Sequence, residues 1–296
     1  MSSTLGIHME EELRSQPDTW RTALKLDSSA LPKKGERVCV VGCGTSWFMA
    51  QSYASLREQS GEGITDAFTP TEFSAEREYD TAIVITRSGT TSEIINFLKE
   101  NAGKLHTVAL LGDVNTPVAD LADDVIDLSF ADEKSVVQTR FATTALMVLR
   151  STVANEETCL KACDEAAEAL CASLDDRLID AEQYSFLGRG WVQGLATEAA
   201  LKMRESCQAW TESYNSMEYR HGPIAIAAPG RITWQLGSSP DGLEDQVNET
   251  GATYVEGSAD PMVELVKVHM VALATARARG LDPDHPRNLS RSVILK

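Results

Sequence analysis

No run of apolar residues in this 296-residue chain approaches the ~20 needed to span a bilayer. The opening stretch, MSSTLGIHMEEELRSQPDTW, lacks the basic-then-apolar order of a signal peptide. A cytoplasmic protein is expected. Basic residues are also in short supply: 27 Lys and Arg stand against 44 Asp and Glu, a formal net charge of −17. That sign disfavours nucleic acid and anionic membrane as partners. Nucleotide signatures are missing as well. There is no GxxxxGK, and where a dinucleotide fingerprint built on Gly42 and Gly44 would need a third glycine, Trp47 stands. Cys39, Cys43, Cys159, Cys163, Cys171 and Cys207 have no secretory context that would make them a disulfide framework. Cys159, Cys163 and Cys171 lack the His or Cys partners of a metal site, which predicts small core residues. No metal and no cofactor is expected.

What is present reads as a soluble α/β protein. A hydrophobic content of 43% with 24% charge is that of a globular chain, and 296 residues allow two moderate domains. Residues 9–26 have the look of an amphipathic leader helix interrupted or restarted at Pro17. Arg37 to Val41 reads as a buried strand that runs into Gly42-Cys43-Gly44-Thr45-Ser46 and a helix near Trp47. Thr81 to Ile85 reads as a second strand, followed by the loop Thr86-Arg87-Ser88-Gly89-Thr90-Thr91 and a helix over 92–101. One helix cap needs one hydroxyl, and this loop offers four, so the surplus fits an oxyanion held by hydroxyls and backbone amides. In so acidic a chain, such local donors must supply the attraction for a phosphate that net charge does not. Strands at 106–111 and 124–128 and a helix over 135–153 complete this half. Residues 155–181, acidic and free of Gly and Pro, read as a helical bridge.

The second half repeats the plan, with a strand at 184–187, Gly188-Arg189-Gly190, a helix over 192–206, and strands near 209–212, 231–236 and 252–255 before a helix over 261–279. Buried strands alternating with helices predict parallel sheets covered on both faces. Glu198, Lys202 and Glu205 are spaced four and then three apart, one row on one helix face. On a surface helix such a row is an ordinary solvated ion pair. Around this one stand Leu195, Ala196, Ala199, Ala200, Leu201 and Met203, which suit packing on several sides, so the row is expected to face a cleft. His221-Gly222-Pro223 follows. His269 is expected to be buried, and His8, His106 and His285 lie outside any motif.

The glycine turn, the E-x-x-x-K-x-x-E helix and the H-G-P turn, in that order, resemble the sugar-isomerase (SIS) domain family, and most nearly the isomerase half of glutamine:fructose-6-phosphate aminotransferase. The resemblance covers nearly the whole chain. It implies two tandem SIS domains, each a parallel sheet flanked by helices in a flavodoxin-like three-layer sandwich: a leader over 1–30, a first domain over 31–155, a helical bridge over 156–181 and a second domain over 182–296. The family's glutaminase domain is not expected, since Met1 and Ser2 cannot replace its nucleophilic cysteine.

By resemblance, Thr45, Ser46, Thr86, Arg87, Ser88 and Thr91 take the places that grip the sugar phosphate, with Gly44 a further substrate contact. Thr86 stands where the aminotransferase has Ser, and Arg87 where it has Gln, which adds a cation able to pair with phosphate. The tail from Asp284 to Val293 resembles the family's C-terminal loop, with Arg291 at the position of its Schiff-base lysine. A guanidinium cannot serve as that nucleophile, so Arg291 is expected on substrate oxygens. A carbonyl shift between C1 and C2 needs a base, a ring-opening group and a phosphate clamp. Glu205, in a closed site beside apolar neighbours, is the candidate base and His221 the ring opener. Lys202 would stabilise the enediolate, with Glu198 orienting it. In the family the histidine comes from the neighbouring subunit, so the resemblance implies a homodimer with shared active sites. The expected activity is phosphosugar isomerisation or amino-sugar-phosphate deamination. A fructosamine 6-phosphate deglycase and a phosphosugar-sensing module are the alternatives, and Glu72 in the 69–73 turn is either part of the site's mouth or an ordinary turn residue.

Overall fold

The computed structural model of the protein describes residues 4–257 and 259–295. Met1 and Ser2, which carry the expectation about the glutaminase nucleophile, lie outside them. Two short helices open the chain, α1 (Ile7–Arg14) and α2 (Gln16–Ala23). Pro17 falls in the first turn of α2, where its missing N–H breaks no intrahelical bond, so the leader restarts there as the pattern allows.

By internal packing the chain forms two compact units, each drawn from separate stretches. The first-sheet unit comprises Asp18–Glu133, Arg140–Leu160 and the tail from Ser290; the second-sheet unit comprises the chain up to Pro17, Lys134–Thr139 and Lys161–Leu289.

The first-sheet unit contains β1 (Val38–Gly42), α3 (Thr45–Gln59), β2 (Thr65–Phe68), β3 (Thr81–Thr86), α4 (Ser92–Asn101), β4 (His106–Leu111), α5 (Pro117–Leu121), β5 (Asp124–Asp127) and α6 (Arg140–Arg150). Its five strands are parallel in the order β2-β1-β3-β4-β5. Every residue of β1 and β3 is buried. Such continuous burial suits a sheet covered on both faces, and each fully buried Val or Ile contributes roughly 1.5–3 kcal/mol. Cys39, Val41 and Val84 pack with Ile94, Phe97 and Leu98 of α4. The strand order reverses between β1 and β3, and in open α/β sheets ligands bind beyond the carboxyl ends of strands at such a reversal. Both hydroxyl-bearing turns leave from these two strand ends.

In the second-sheet unit, α7 (Glu156–Ala169) begins in the stretch before it and is followed by α8 (Asp176–Ile179), β6 (Gln183–Gly188), α9 (Val192–Cys207), β7 (Trp210–Asn215), β8 (Arg231–Gln235), α10 (Leu243–Glu249), β9 (Thr253–Glu256) and α11 (Pro261–Ala278). The four strands are again parallel, in the order β7-β6-β8-β9. The α/β class with two parallel sheets flanked by helices is thus what the sequence predicts.

Four local readings need correction. The edge strand β2 was not anticipated: Thr65-Asp-Ala-Phe68 is four residues without a β-branched run. The helix expected from Ser135 starts at Arg140, and the Lys134 and Ser135 N–H groups before it go to the buried Glu12 carboxylate, a partner distant in the chain. The helical bridge is broken after Ala169 and resumes at α8, where the Asp175 side chain accepts the Arg177 N–H. Cys159 and Cys163 are buried, but Cys171 is exposed; none of the six cysteines is in a disulfide. Among the described residues no helix is long and apolar enough to cross a membrane.

Candidate active site

Gly42 ends β1 and Gly188 ends β6, and the two turns solve one steric problem. A Cβ on Gly42 would stand 2.6 Å from the Ser46 carbonyl carbon, and one on Gly188 2.4 Å from the Val192 carbonyl oxygen. Only glycine lets the strand turn back so closely on the next helix.

In the first-sheet unit this turn places Thr45 and Ser46, both buried, in the first turn of α3. Burial, with Glu93 adding to it, pushes the Cys43 thiol up to about 11, so it stays a thiol and not a nucleophile. At the end of β3, Thr86, Arg87 and Ser88 are buried. Gly89 has φ +60°, and a Cβ there would lie 2.0 Å from Thr116 Oγ1, so the loop after Ser88 has no room for another residue type. Thr91 precedes α4 but its side chain makes no capping hydrogen bond. Capping therefore does not account for its hydroxyl, which lies 3.5 Å from Ser88 Oγ.

Arg87 is the one cation in this turn, and its charge is met inside the protein. Its Nη1 lies 3.5 Å from Glu133 Oε2, with the two side chains 2% and 0% exposed. The other Glu133 oxygen accepts the Arg140 N–H at 2.8 Å, at the start of α6. Arg291, expected on substrate oxygens, donates to Asp132 Oδ1 at 2.5 Å and to the Glu133 carbonyl. Glu133 and Asp132 were not singled out from sequence. The available signal was an acidic pair shortly before a helix. Pro70–Glu72 is a short 3-10 turn with Glu72 exposed.

In the second-sheet unit, α9 is buried on most of its circumference, packed against α11, β6 and β7. Its ion row sits inside. Lys202 Nζ lies 3.1 Å from Glu198 Oε1 and 2.8 Å from Glu205 Oε2, with Lys202 0%, Glu198 1% and Glu205 21% exposed. Burial works against the ammonium, but the two carboxylates outweigh it and hold the Lys202 pKa above its ordinary value. The near neighbour of Glu205 is thus an ammonium rather than the apolar groups the sequence suggested. His269 of α11 is fully buried as expected; burial, with Lys202 adding to it, holds its imidazole well below the usual range and therefore neutral. Its Nδ1 lies 3.4 Å from Gln16 Nε2.

The structure brings Glu198, Lys202 and Glu205 together but does not join His221 to them. His221 ends a 3-10 turn (Glu218–His221), is exposed, and among the described residues forms no hydrogen bond or ion pair with the row. Gly222 after it has φ +139°, outside the range of ordinary side-chain-bearing residues.

No protein-family model matches the chain. Among curated proteins, glutamine–fructose-6-phosphate aminotransferase [isomerizing] of Nostoc sp. (strain PCC 9229) is 27% identical over 88% of this chain and 52% of its own length. The enzyme of the same name from Methanothermobacter thermautotrophicus is 24% identical over the same shares, 88% and 52%. The chain therefore spans about half the length of the curated relatives it matches. Among solved structures, glucosamine-6-phosphate deaminase from Thermotoga maritima has the same fold at a TM-score of 0.83 and 22% identity, over 97% of this chain and 100% of that one. The C-terminal domain of the aminotransferase from Francisella tularensis gives 0.78 at 18% identity, over 95% and 99%.

Proposed function

We propose that this chain, a homologue of the isomerase (SIS) part of glutamine–fructose-6-phosphate aminotransferase, is an enzyme that moves a proton between C1 and C2 of a hexose 6-phosphate or its amino derivative. The observation that carries the reading is the burial of Lys202 between two carboxylates. Three charges in a helix interior are a poor way to gain stability, since desolvation consumes most of what their attraction returns. Their presence is better explained by chemistry.

In this reading the hydroxyls of Ser88 and Thr91, with Thr45, Ser46 and Thr86, receive the phosphate. Glu205, as the ion-pair partner of an ammonium, is a carboxylate able to accept a proton. It takes the proton from C2 of the aldose and returns it to C1, and the O2 hydroxyl proton passes to O1, so that the carbonyl moves from C1 to C2 through an enediolate. Lys202 neutralises the charge that develops on the enediolate oxygens, and Glu198 fixes the ammonium from behind. With an amino sugar the same shift gives a ketimine, which water converts to ketose and ammonia. The exposure of His221, which makes no hydrogen bond or ion pair with the row among the described residues, supports its serving as ring opener for a second copy of the chain in a homodimer.

Glu205→Gln separates catalysis from binding. The variant should bind glucosamine 6-phosphate like the parent and lose turnover by about 10²–10⁴. Unchanged turnover would remove Glu205 as the base, and a chain that binds but turns over nothing even as wild type would be a phosphosugar sensor.

A further inference from the structure

The tail from Ser290 is fastened across the Thr86–Thr91 turn by contacts that the proposed function leaves unused. The Val293 carbonyl accepts the Ser92 N–H at 3.1 Å, and Ser92 Oγ accepts the Leu295 N–H at 2.9 Å. Arg87 Nη2 reaches the Arg291 carbonyl at 3.4 Å. These bonds fix the backbone on both sides of Ser292 and place its hydroxyl 3.0 Å from Thr90 Oγ1 and 3.4 Å from Thr91 Oγ1. Ser88 Oγ, Thr91 Oγ1 and Ser292 Oγ thus form a chain of hydroxyls at 3.5 Å and 3.4 Å. Contacts that long are weak, so each hydroxyl can turn its proton to a stronger acceptor.

Occupation of the Ser92 N–H by Val293 has a chemical consequence. One first-turn amide of α4 is no longer available to an anion, and the same tail segment that takes it offers a hydroxyl donor one residue earlier. Arg291 holds that segment down through Asp132 and the Glu133 carbonyl. The Arg291 and Asp132 side chains are 37% and 34% exposed, so the pair contributes little to global stability and its effect should be local.

We propose that Ser292 is a phosphate ligand presented by the tail, and that Asp132 is the positioning residue that sets its register through Arg291. This rests on the reading of the Thr86–Thr91 turn as the phosphate site. The test is calorimetric titration of the full chain with glucosamine 6-phosphate and with inorganic phosphate, for the parent, Ser292→Ala, Asp132→Asn and the double variant, beside thermal unfolding of each. Ser292→Ala should weaken both ligands about tenfold, the loss of one hydrogen bond to a charged acceptor. Asp132→Asn should weaken both by a similar factor. The double variant should be no weaker than the worse single, because both changes remove the same hydroxyl. Melting temperatures should stay together. Parent-like affinity in Ser292→Ala, or a loss for the sugar phosphate but not for inorganic phosphate, overturns the role of Ser292. Losses that multiply to about a hundredfold overturn the role of Asp132. A parent that binds neither ligand removes the phosphate reading itself, and this inference with it.

Discussion

Gly42 and Gly188 each end a buried parallel strand, and a Cβ on either would come within 2.6 Å and 2.4 Å of backbone four residues on, yet the helices they launch carry opposite chemistry. α3 begins with Thr45 and Ser46 and has no ionisable group in its first turn on the strand side; α9 carries Glu198, Lys202 and Glu205 along its buried length. At the first-sheet turn Cys43 is a protonated thiol and Arg87 is held by Glu133, and the proposed function gives this turn only the phosphate. The second-sheet helix carries the carboxylate to which the proposed function gives the proton. In the proposed function the same strand-turn-helix frame serves binding in one unit and proton transfer in the other, and the frame alone identifies neither.

The comparison can be broken most forcefully at Lys202. Lys202→Met leaves Glu198 buried without its ammonium, and should cost about 3–5 kcal/mol in denaturant unfolding. Arg87→Met, in the other unit, should cost less, because Glu133 keeps the Arg140 N–H as a partner. Next come the glycines. Gly42→Ala and Gly188→Ala should each destabilise by about 1–3 kcal/mol, because the added methyl meets backbone and not a movable side chain. A tolerated Gly188→Ala beside a damaging Gly42→Ala would show that the two turns are not the same device.

The smallest effect is a dependence on acid. A neutral buried His269 takes up a proton in the unfolded chain near pH ~6.5 but not in the folded one. Its contribution is therefore fully present above that pH and is lost as pH falls below it, by up to ~1.4 kcal/mol per pH unit. His269→Gln should flatten that slope in unfolding curves measured from pH 7 to pH 5. An unchanged slope would place the acid sensitivity elsewhere.

Much of this was legible from sequence because burial writes itself into composition. β1, β3 and β4 each hold an unbroken apolar stretch, Val38–Val41, Ala82–Ile85 and Val108–Leu111, and the two glycine turns follow β1 and β6 where the pattern put them. The row on α9 was visible because three and four are helical spacings. What stayed hidden depends on partners distant in the chain. Nothing near Ser135 announces that its backbone N–H will be taken by a carboxylate at Glu12. Nothing near Arg87 announces Glu133, and nothing near Arg291 announces Asp132. Such pairs are set by tertiary placement, so a charged residue can be found by spacing while its counter-charge cannot.

Proton exchange in D₂O tests the division of labour most directly. The protein would be incubated with glucosamine 6-phosphate, with fructose 6-phosphate plus ammonium, and with glucose 6-phosphate, and deuterium at C1 and C2 followed by NMR. The predicted result is incorporation with at least one of the three, absent in Glu205→Gln. Clear binding of these ligands with no exchange in any of them would contradict proton transfer by the α9 row.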